Sequence, residues 1–256
     1  MTISGATAQP KALAPARAFP MPVKDFLAGD YLALGDVVLT RRLKPLGQLV
    51  AWATGGLFGH AALIALIPRR QDGFDNSFIL EAELNGVQLR RTDSYFDDKA
   101  PGHIYAIKRL QAGWFSEDMA RNVRGQAMDT VLAPYDWWRL IDIAIGIVRT
   151  KMGLAVRQTD GRPAHWNALP RHLMCSGMVQ YAFMKTVTKN PPGGNAATYQ
   201  ADVNFLQNCP HPDREQLLSA APEDLALTPR LAWKYAVTRG IVHEVHSYDE
   251  VKALLR

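Results

Sequence analysis

Two short apolar segments, far apart in the chain, limit what this sequence can fold into. The segment Gly-His-Ala-Ala-Leu-Ile at 59–64 places a histidine at the start of an apolar run that is typical of a buried strand. The segment Leu-Met-Cys-Ser-Gly-Met-Val-Gln-Tyr-Ala-Phe at 173–183 places a cysteine at the start of a helix with apolar periodicity. A helix N-terminus favours the thiolate form of cysteine, and an imidazole that faces it can accept or share the proton. Together the two segments predict a cysteine-dependent acyl-transfer enzyme.

The composition is that of a folded protein with a substantial core. The chain has 256 residues, of which 48% are hydrophobic, and this excludes disorder of the whole chain. The net charge of +5 comes from lysines and arginines that are scattered through the sequence, and the fingerprint motifs of nucleic-acid-binding modules are absent. We therefore expect no nucleic-acid partner, and we expect no cofactor.

Cysteine usage and the N-terminal segment bear on the cellular compartment. Two cysteines, Cys175 and Cys209, are too few for a secreted disulfide scaffold, so we expect a reduced compartment. Residues 1–28 are rich in alanine and proline and lack the pattern of a secretory signal, which predicts a flexible arm. No apolar stretch reaches the roughly 18 residues that a membrane-spanning helix requires. These features predict a cytoplasmic protein in which residues 29–256 form a single catalytic domain.

The order of secondary structure predicts an α+β fold. Strands are expected at 37–41, 60–67, 78–84, 87–91 and 103–108, which together form an antiparallel meander. The run at 60–67 has no polar alternation and predicts a strand that is covered on both faces. A last strand is expected at 241–245. A short helix that breaks at Gly55-Gly56 is expected over 44–58. Further helices are expected over 116–132 with Ser116 as the N-cap, from Cys175 onward, and after Thr228.

The candidate nucleophile is Cys175. The apolar residues at i+3, i+4, i+7 and i+8 from it share one face of the predicted helix, so the alternative interpretation is a small buried hydrophobic residue. Its place in the first turn favours a nucleophile, because the unpaired N–H groups there lower the pKa of a thiol and can hold an oxyanion. Ser176 is the competing nucleophile, and it ranks second because no G-x-S-x-G elbow surrounds it.

The candidate base is His60, and the strand at 78–84 supplies candidates for the group that orients it. Gly59 allows another backbone or a substrate to come close to the histidine. Alternation places Glu81, Glu83 and Asn85 on one face of the following strand, and any of the three could orient the imidazole. The alternative is a solvated acidic face, which is equally compatible with Glu83.

The other histidines and Cys209 do not form a recognisable site. His243 and His246 are three residues apart, so on a strand they point to opposite faces, and the chain has no C-x-x-C motif. We therefore predict no metal site. Cys209 lies in a proline-flanked loop with no helix to lower its pKa, and we interpret it as structural or incidental.

Several short motifs, taken in order, resemble one branch of a known superfamily. His60 precedes Cys175, whereas papain-type enzymes carry the cysteine first. The motifs are Gly35-Asp36-Val-Val, Gly59-His60-Ala-Ala-Leu, Leu80-Glu81-Ala, Pro134-Tyr135-Asp136 and Cys175-Ser176. This series resembles the circularly permuted branch of the NlpC/P60 superfamily, which includes the YiiX/YaeF-like proteins and, more remotely, the lecithin:retinol acyltransferase group.

The resemblance implies a papain-like α+β domain in which an antiparallel sheet packs against the helix that bears the cysteine. It implies Cys175 as nucleophile, His60 as base and Glu81 as the orienting group, with the backbone N–H of Cys175 helping to hold the oxyanion. Residues that would bind substrate or support the site are Gly59, Glu83, Tyr135 and Ser176. One departure is the Ser-Gly that follows the cysteine, where relatives often have Ser-Glu.

Three functions are compatible with these residues. The first is a hydrolase that cleaves an amide, isopeptide or thioester bond in a peptide-, amide- or acyl-containing substrate through an acyl-enzyme. The second is a lipid acyltransferase or lipase, because the aromatic start and basic end of 137–151 suit peripheral contact with a membrane. The third is a catalytically silent module that binds a peptide or an acyl chain in the same groove.

Overall fold

An antiparallel sheet of eight strands organises the part of the chain that the structure, a computed structural model, describes. That part comprises residues 18–42, 45–67, 77–83, 85–97, 99–131, 174–207, 209 and 212–256. The strands are β1 Met21–Pro22, β2 Val37–Arg41, β3 His60–Leu66, β4 Phe78–Glu83, β5 Gly86–Arg91, β6 Ile104–Leu110, β7 Leu231–Thr238 and β8 Ile241–Glu244. They lie in the order β1-β8-β7-β6-β2-β3-β4-β5, and every neighbouring pair is antiparallel.

Helices cover both faces of this sheet. The described helices are α1 Val23–Ala28, α2 Pro45–Thr54, α3 Thr92–Phe96, α4 Glu117–Met128, α5 Cys175–Lys189, α6 Ala196–Gln200, α7 Arg214–Leu218, α8 Pro222–Leu227 and α9 Tyr248–Ala253. Side chains of α4 and α5 enter the core on one face, and side chains of α1 and α3 enter the core on the other. The α+β class that the sequence predicts is confirmed.

Strand β3 is buried on both faces, as its unbroken apolar sequence predicts. All residues from Ala61 to Ala65 are fully buried. Ala61, Leu63 and Ala65 belong to the core beneath α5, and Ala62 and Ile64 belong to the core beneath α1 and α3. His60 is the first residue of this strand, so a rigid, buried element fixes its backbone.

Helix α5 is buried on all sides over most of its length, from Cys175 to Val187. It lies against the sheet, α4 and α7. Close packing depends on Gly177, because a Cβ atom there would lie 2.1 Å from the carbonyl oxygen of Leu218 at the end of α7. Gly177, which stands where the family that the sequence resembles often has glutamate, therefore has a packing role. It lets α7 approach the first turn of the helix that bears Cys175.

Two buried charged side chains connect α8 to the rest of the molecule. Glu223 accepts hydrogen bonds from the backbone N–H of Leu57 (2.9 Å) and from the hydroxyl of Tyr248 (2.5 Å). Lys108 of β6 donates to the carbonyls of Leu225 and Thr228 at 2.9 and 3.1 Å, and also to the carbonyl of Ala226. The loop that leads to His60 is thereby tied to α8 and to the C-terminal helix α9.

The structure differs from the sequence prediction in the C-terminal region. The helix expected after Thr228 is wrong, because Leu231–Thr238 forms β7. Thr228 precedes a proline, which disfavours helical backbone, and it is extended with φ −61° and ψ 131°. It ends α8 instead of starting a helix. The strand expected at 241–245 is confirmed as β8.

The N-terminal boundary also differs from the expected limit of the arm at residue 28. Met21–Pro22 pairs with β8, and α1 follows directly, with the ring of Phe26 fully buried. These residues therefore belong to the folded part, while residues 1–17 lie outside the described residues. Within the described ranges, no helix has both the length and the apolar character needed to cross a membrane.

Candidate active site

His60 and Glu81 meet because of the register between β3 and β4. Ala62 lies opposite Glu81, so His60, two residues earlier on β3, is the diagonal neighbour of Glu81 on the same face of the sheet. The His60 Nε2 atom and the Glu81 Oε2 atom are 2.8 Å apart. The side chain of Glu81 is completely buried, whereas that of His60 is 19% exposed. This hydrogen bond fixes the plane of the imidazole ring.

Cys175 reaches the same imidazole from the first residue of α5. Its thiol is hydrogen-bonded to the His60 side chain. Because Nε2 is bonded to Glu81, Nδ1 is the ring atom left for the sulfur. The backbone N–H groups of Ala61 and Ser176 also point to the sulfur. The three side chains thus form a continuous series in the order Cys175, His60, Glu81.

The electrostatics of this series favour a thiolate beside an imidazolium. Burial alone would lower the pKa of His60, but the Cys175 sulfur and the Glu81 carboxylate stabilise the charged ring and raise its pKa to about 10. Burial alone would raise the pKa of Cys175, but the His60 charge and the two backbone donors hold it below its ordinary value. A buried thiol in this state is a competent nucleophile.

An arginine network lies behind Glu81. Arg90 Nη1 is 3.1 Å from Glu81 Oε1 and 3.5 Å from Glu83 Oε1, and Arg42 Nη1 is 3.9 Å from Glu83 Oε1. Burial opposes ionisation of Glu81, yet its bond to His60 and the arginine charges keep its pKa below the ordinary value. Arg42 in turn stacks over the ring of Tyr95 at 4.4 Å. The carboxylate that orients the imidazole is therefore held in its charged form.

The other predicted site residues fall into different places. Ser176 is fully buried, and its hydroxyl donates to the carbonyl of Ala220. The hydroxyl is therefore used in a bond to the backbone and not in one to His60. Asn85 is exposed and lies in the turn after β4, beyond the face that carries Glu81. Gly59 packs against α2, where a Cβ atom would lie 2.1 Å from the carbonyl oxygen of Gly47. Tyr135 lies outside the described residues.

Three potential metal ligands are also close together. His60, Glu81 and Glu83 each offer one ligand atom, and these atoms lie within 4.8 Å of one another, the one such group found in the described ranges. The sequence predicts no metal site, because no motif spacing along the chain joins these three residues. Arg90 forms ion pairs with both carboxylates, so a positive charge already occupies the space beside them. A metal ion there would have to displace this guanidinium or the bond between His60 and Glu81.

Sequence reasoning did not identify Arg90 or Arg42. Gln88 pairs with Glu81 across the β4–β5 hairpin, which places Arg90 diagonally on the same face as the carboxylate. The sequence signal for Arg90 was the alternation of side chains along β5 after the Asn85-Gly86 turn, which puts Gln88 and Arg90 on one face. No comparable signal marked Arg42, because it follows the end of β2 and meets Glu83 only through the order of the sheet.

The sequence matches no family model and no curated protein. A solved structure that is similar in fold is the crystal structure of metalloprotein yiiX from Escherichia coli O157:H7. This is the YiiX-like group that the sequence motifs resemble. The comparison covers 79% of this chain and 96% of that chain, with a TM-score of 0.41 and 15% sequence identity.

Proposed function

We propose that the protein is a cysteine hydrolase that cleaves an amide, isopeptide or thioester bond through an acyl-enzyme. The observation that carries the proposal is the hydrogen-bonded series of Cys175, His60 and Glu81, with the 2.8 Å bond between His60 and Glu81 fixing the ring. A nucleophile, a base and a group that orients the base are the three components of such a site.

In the first step, the Cys175 thiolate attacks the carbonyl carbon of the substrate. The negative charge that develops on the carbonyl oxygen is held by backbone N–H at the start of α5, where the N–H of Cys175 has no partner within the helix. The bond to the leaving nitrogen or sulfur then breaks, and the imidazolium of His60 supplies the proton that the leaving group needs. The product of this step is an acyl group on the sulfur of Cys175.

In the second step, water replaces the leaving group. Neutral His60 takes a proton from the water, the resulting hydroxide attacks the thioester carbon, and the bond between that carbon and the sulfur breaks. The thiolate returns and is paired again with the imidazolium. Glu81 keeps the ring in one orientation and stabilises its positive charge throughout, without itself taking the proton.

An activated ester tests this proposal without knowledge of the natural substrate. The protein is mixed with 4-nitrophenyl acetate, release of nitrophenolate is followed with time, and Cys175 and Cys209 are examined by mass spectrometry. We expect a burst of nitrophenolate, an acetyl group on Cys175 and continued turnover, all lost in Cys175→Ala and retained in Cys209→Ala. Both cysteines are free thiols, so the second variant is a matched control.

The same experiment separates the alternatives. An acetyl-Cys175 that is stable in water but is discharged by an added alcohol or amine would identify an acyltransferase. The segment 137–151, to which membrane contact was assigned, lies outside the described residues. Failure of Cys175 to acquire the acetyl group would contradict the hydrolase and leave the binding module as the better account.

A further inference from the structure

A second feature of this region is a cleft next to the start of β3. It has a volume of about 330 Å³ and extends to Gly59, the residue directly before His60. It lies where the end of β2 faces α2 and the loop that follows α2. The residues that line it are Arg41, Arg42, Gly47, Gln48, Ala51, Gly56, Leu57 and Gly59.

Among the described residues that line the cleft, the two charged side chains are both arginines. Arg42 already has partners, since it contacts Glu83 and donates from Nε to the hydroxyl of Tyr105 at 3.3 Å. For the side chain of Arg41, no hydrogen bond or ion pair is present among the described residues. The cleft therefore holds one partly exposed guanidinium that is available to a ligand.

Close packing at two glycines, Gly56 and Gly59, sets part of the wall of the cleft. A Cβ atom at Gly56 would lie 2.1 Å from Glu223 Oε2, the same atom that accepts the N–H of Leu57. On the other side, Gly59 contacts the backbone of Gly47 in α2. The shape next to His60 is thus formed before any substrate binds, which lowers the entropic cost of binding.

We propose that this cleft binds a carboxylate of the substrate and that Arg41 is the residue that selects for it. The inference rests on the proposed function, because it takes the bond beside Cys175 as the one that is cleaved. One free guanidinium suits a carboxylate, which it can bind through two parallel N–H donors. The substrate class is therefore an acyl compound with a carboxylate near the scissile carbonyl.

Two alkylating reagents of similar size test the charge preference at the thiol. Iodoacetate carries a carboxylate and iodoacetamide does not, so the ratio of their rate constants at Cys175 reports the local attraction for a carboxylate. We expect Arg41→Gln to lower this ratio by about threefold or more, and the effect to weaken as salt is added. Arg230→Gln is the matched control, because Arg230 lies at the opposite end of the sheet, next to the start of β7. It should leave the ratio at the wild-type value.

A binding measurement decides the inference independently of thiol reactivity. In the Cys175→Ala protein, binding of N-acetyl-alanine and of its amide is compared by ligand-observed NMR, and again with Arg41→Gln added. We expect the acid to bind about tenfold more tightly than the amide, and Arg41→Gln to remove the difference. Equal binding of acid and amide, or no binding of either, would overturn the carboxylate cleft.

The outcomes separate this inference from the proposed function. A Cys175 that reacts with neither reagent contradicts the hydrolase, and the NMR comparison still decides what the cleft binds. If Cys175 reacts but the ratio of iodoacetate to iodoacetamide rate constants is the same in wild type and Arg41→Gln, only the carboxylate site is contradicted. A lowered ratio in Arg41→Gln together with a preference for the acid supports both.

Discussion

Glu81 is completely buried behind His60, and its Oε2 atom lies 2.8 Å from the Nε2 atom of the imidazole. Cys175 contacts the other side of the same ring. The charge of the carboxylate is therefore transmitted to the thiol through a ring that it also orients.

Glu81→Gln should slow the alkylation of Cys175 at neutral pH by at least about tenfold. The amide keeps a hydrogen-bonding group near the ring but removes the charge that stabilises the imidazolium, so a smaller fraction of the thiol is ionised. The measurement is the rate of reaction of Cys175 with iodoacetamide. Glu83→Gln is the matched control, because Glu83 also contacts Arg90, whereas the hydrogen bond to His60 comes from Glu81. Equal slowing of Cys175 alkylation by the two substitutions would show that the net negative charge of this region matters, and not the bond of Glu81 to His60.

Cys175→Ala should lower the pKa of His60 from its value of about 10. The sulfur is the strongest of the influences that raise this pKa, and burial, which lowers it, remains when the sulfur is removed. NMR titration of the imidazole ring measures the change directly. In the wild type the ring should stay protonated through neutral pH and lose its proton only near pH 10. An unchanged titration in Cys175→Ala would show that the thiol and the ring do not interact.

The three residues of the site could be predicted from sequence because each is specified locally. His60 begins an apolar run, Cys175 begins a helix, and the alternation of β4 places Glu81 on the polar side of a strand. The choice among Glu81, Glu83 and Asn85 needed the register of β3 against β4, which no local pattern contains. In the structure it is Glu81 that bonds the imidazole.

The remainder of the fold depends on contacts between distant segments. Lys108 is hydrophilic by type, yet it is fully buried because the ends of α8 and β6 come together. The sequence of β7 carries lysine and tryptophan among its apolar residues, and its pairing with β6 and β8 decides its conformation. Arg42 and Arg90 join the site only through the order of the strands. Such partners cannot be read from spacing along the chain.

Gly177→Ala should destabilise the protein, whereas Gly125→Ala should stabilise it. Both glycines are within helices, where alanine is favoured by about 0.5–1 kcal/mol. A methyl group at Gly177 would lie 2.1 Å from the carbonyl oxygen of Leu218, while a methyl group at Gly125 meets nothing within 4 Å. We expect a loss of about 2 kcal/mol or more for the first. Urea unfolding of the two variants measures both values, and equal changes would contradict the close approach of α7.

Lys108→Met should lower the free energy of unfolding by about 3 kcal/mol. The ammonium group has three donors, and the carbonyls of Leu225, Ala226 and Thr228 accept them. Methionine fills a similar volume but leaves these buried oxygens without partners. Chemical denaturation measures the loss. Lys234→Met, at a partly exposed position on β7, should change stability by no more than about 0.5 kcal/mol, and a comparable loss there would contradict the assigned role of Lys108.

The proposed ion pair between His60 and Cys175 is tested most directly by the pH dependence of Cys175 alkylation, resolved by site with mass spectrometry. It is measured in wild type, in His60→Ala and in His243→Ala, which removes a histidine of β8. The account predicts that wild type and His243→Ala react with an apparent pKa well below the ordinary value of about 8.5, and that His60→Ala raises it. An inert Cys175, or a profile that does not change when His60 is removed, would contradict the account.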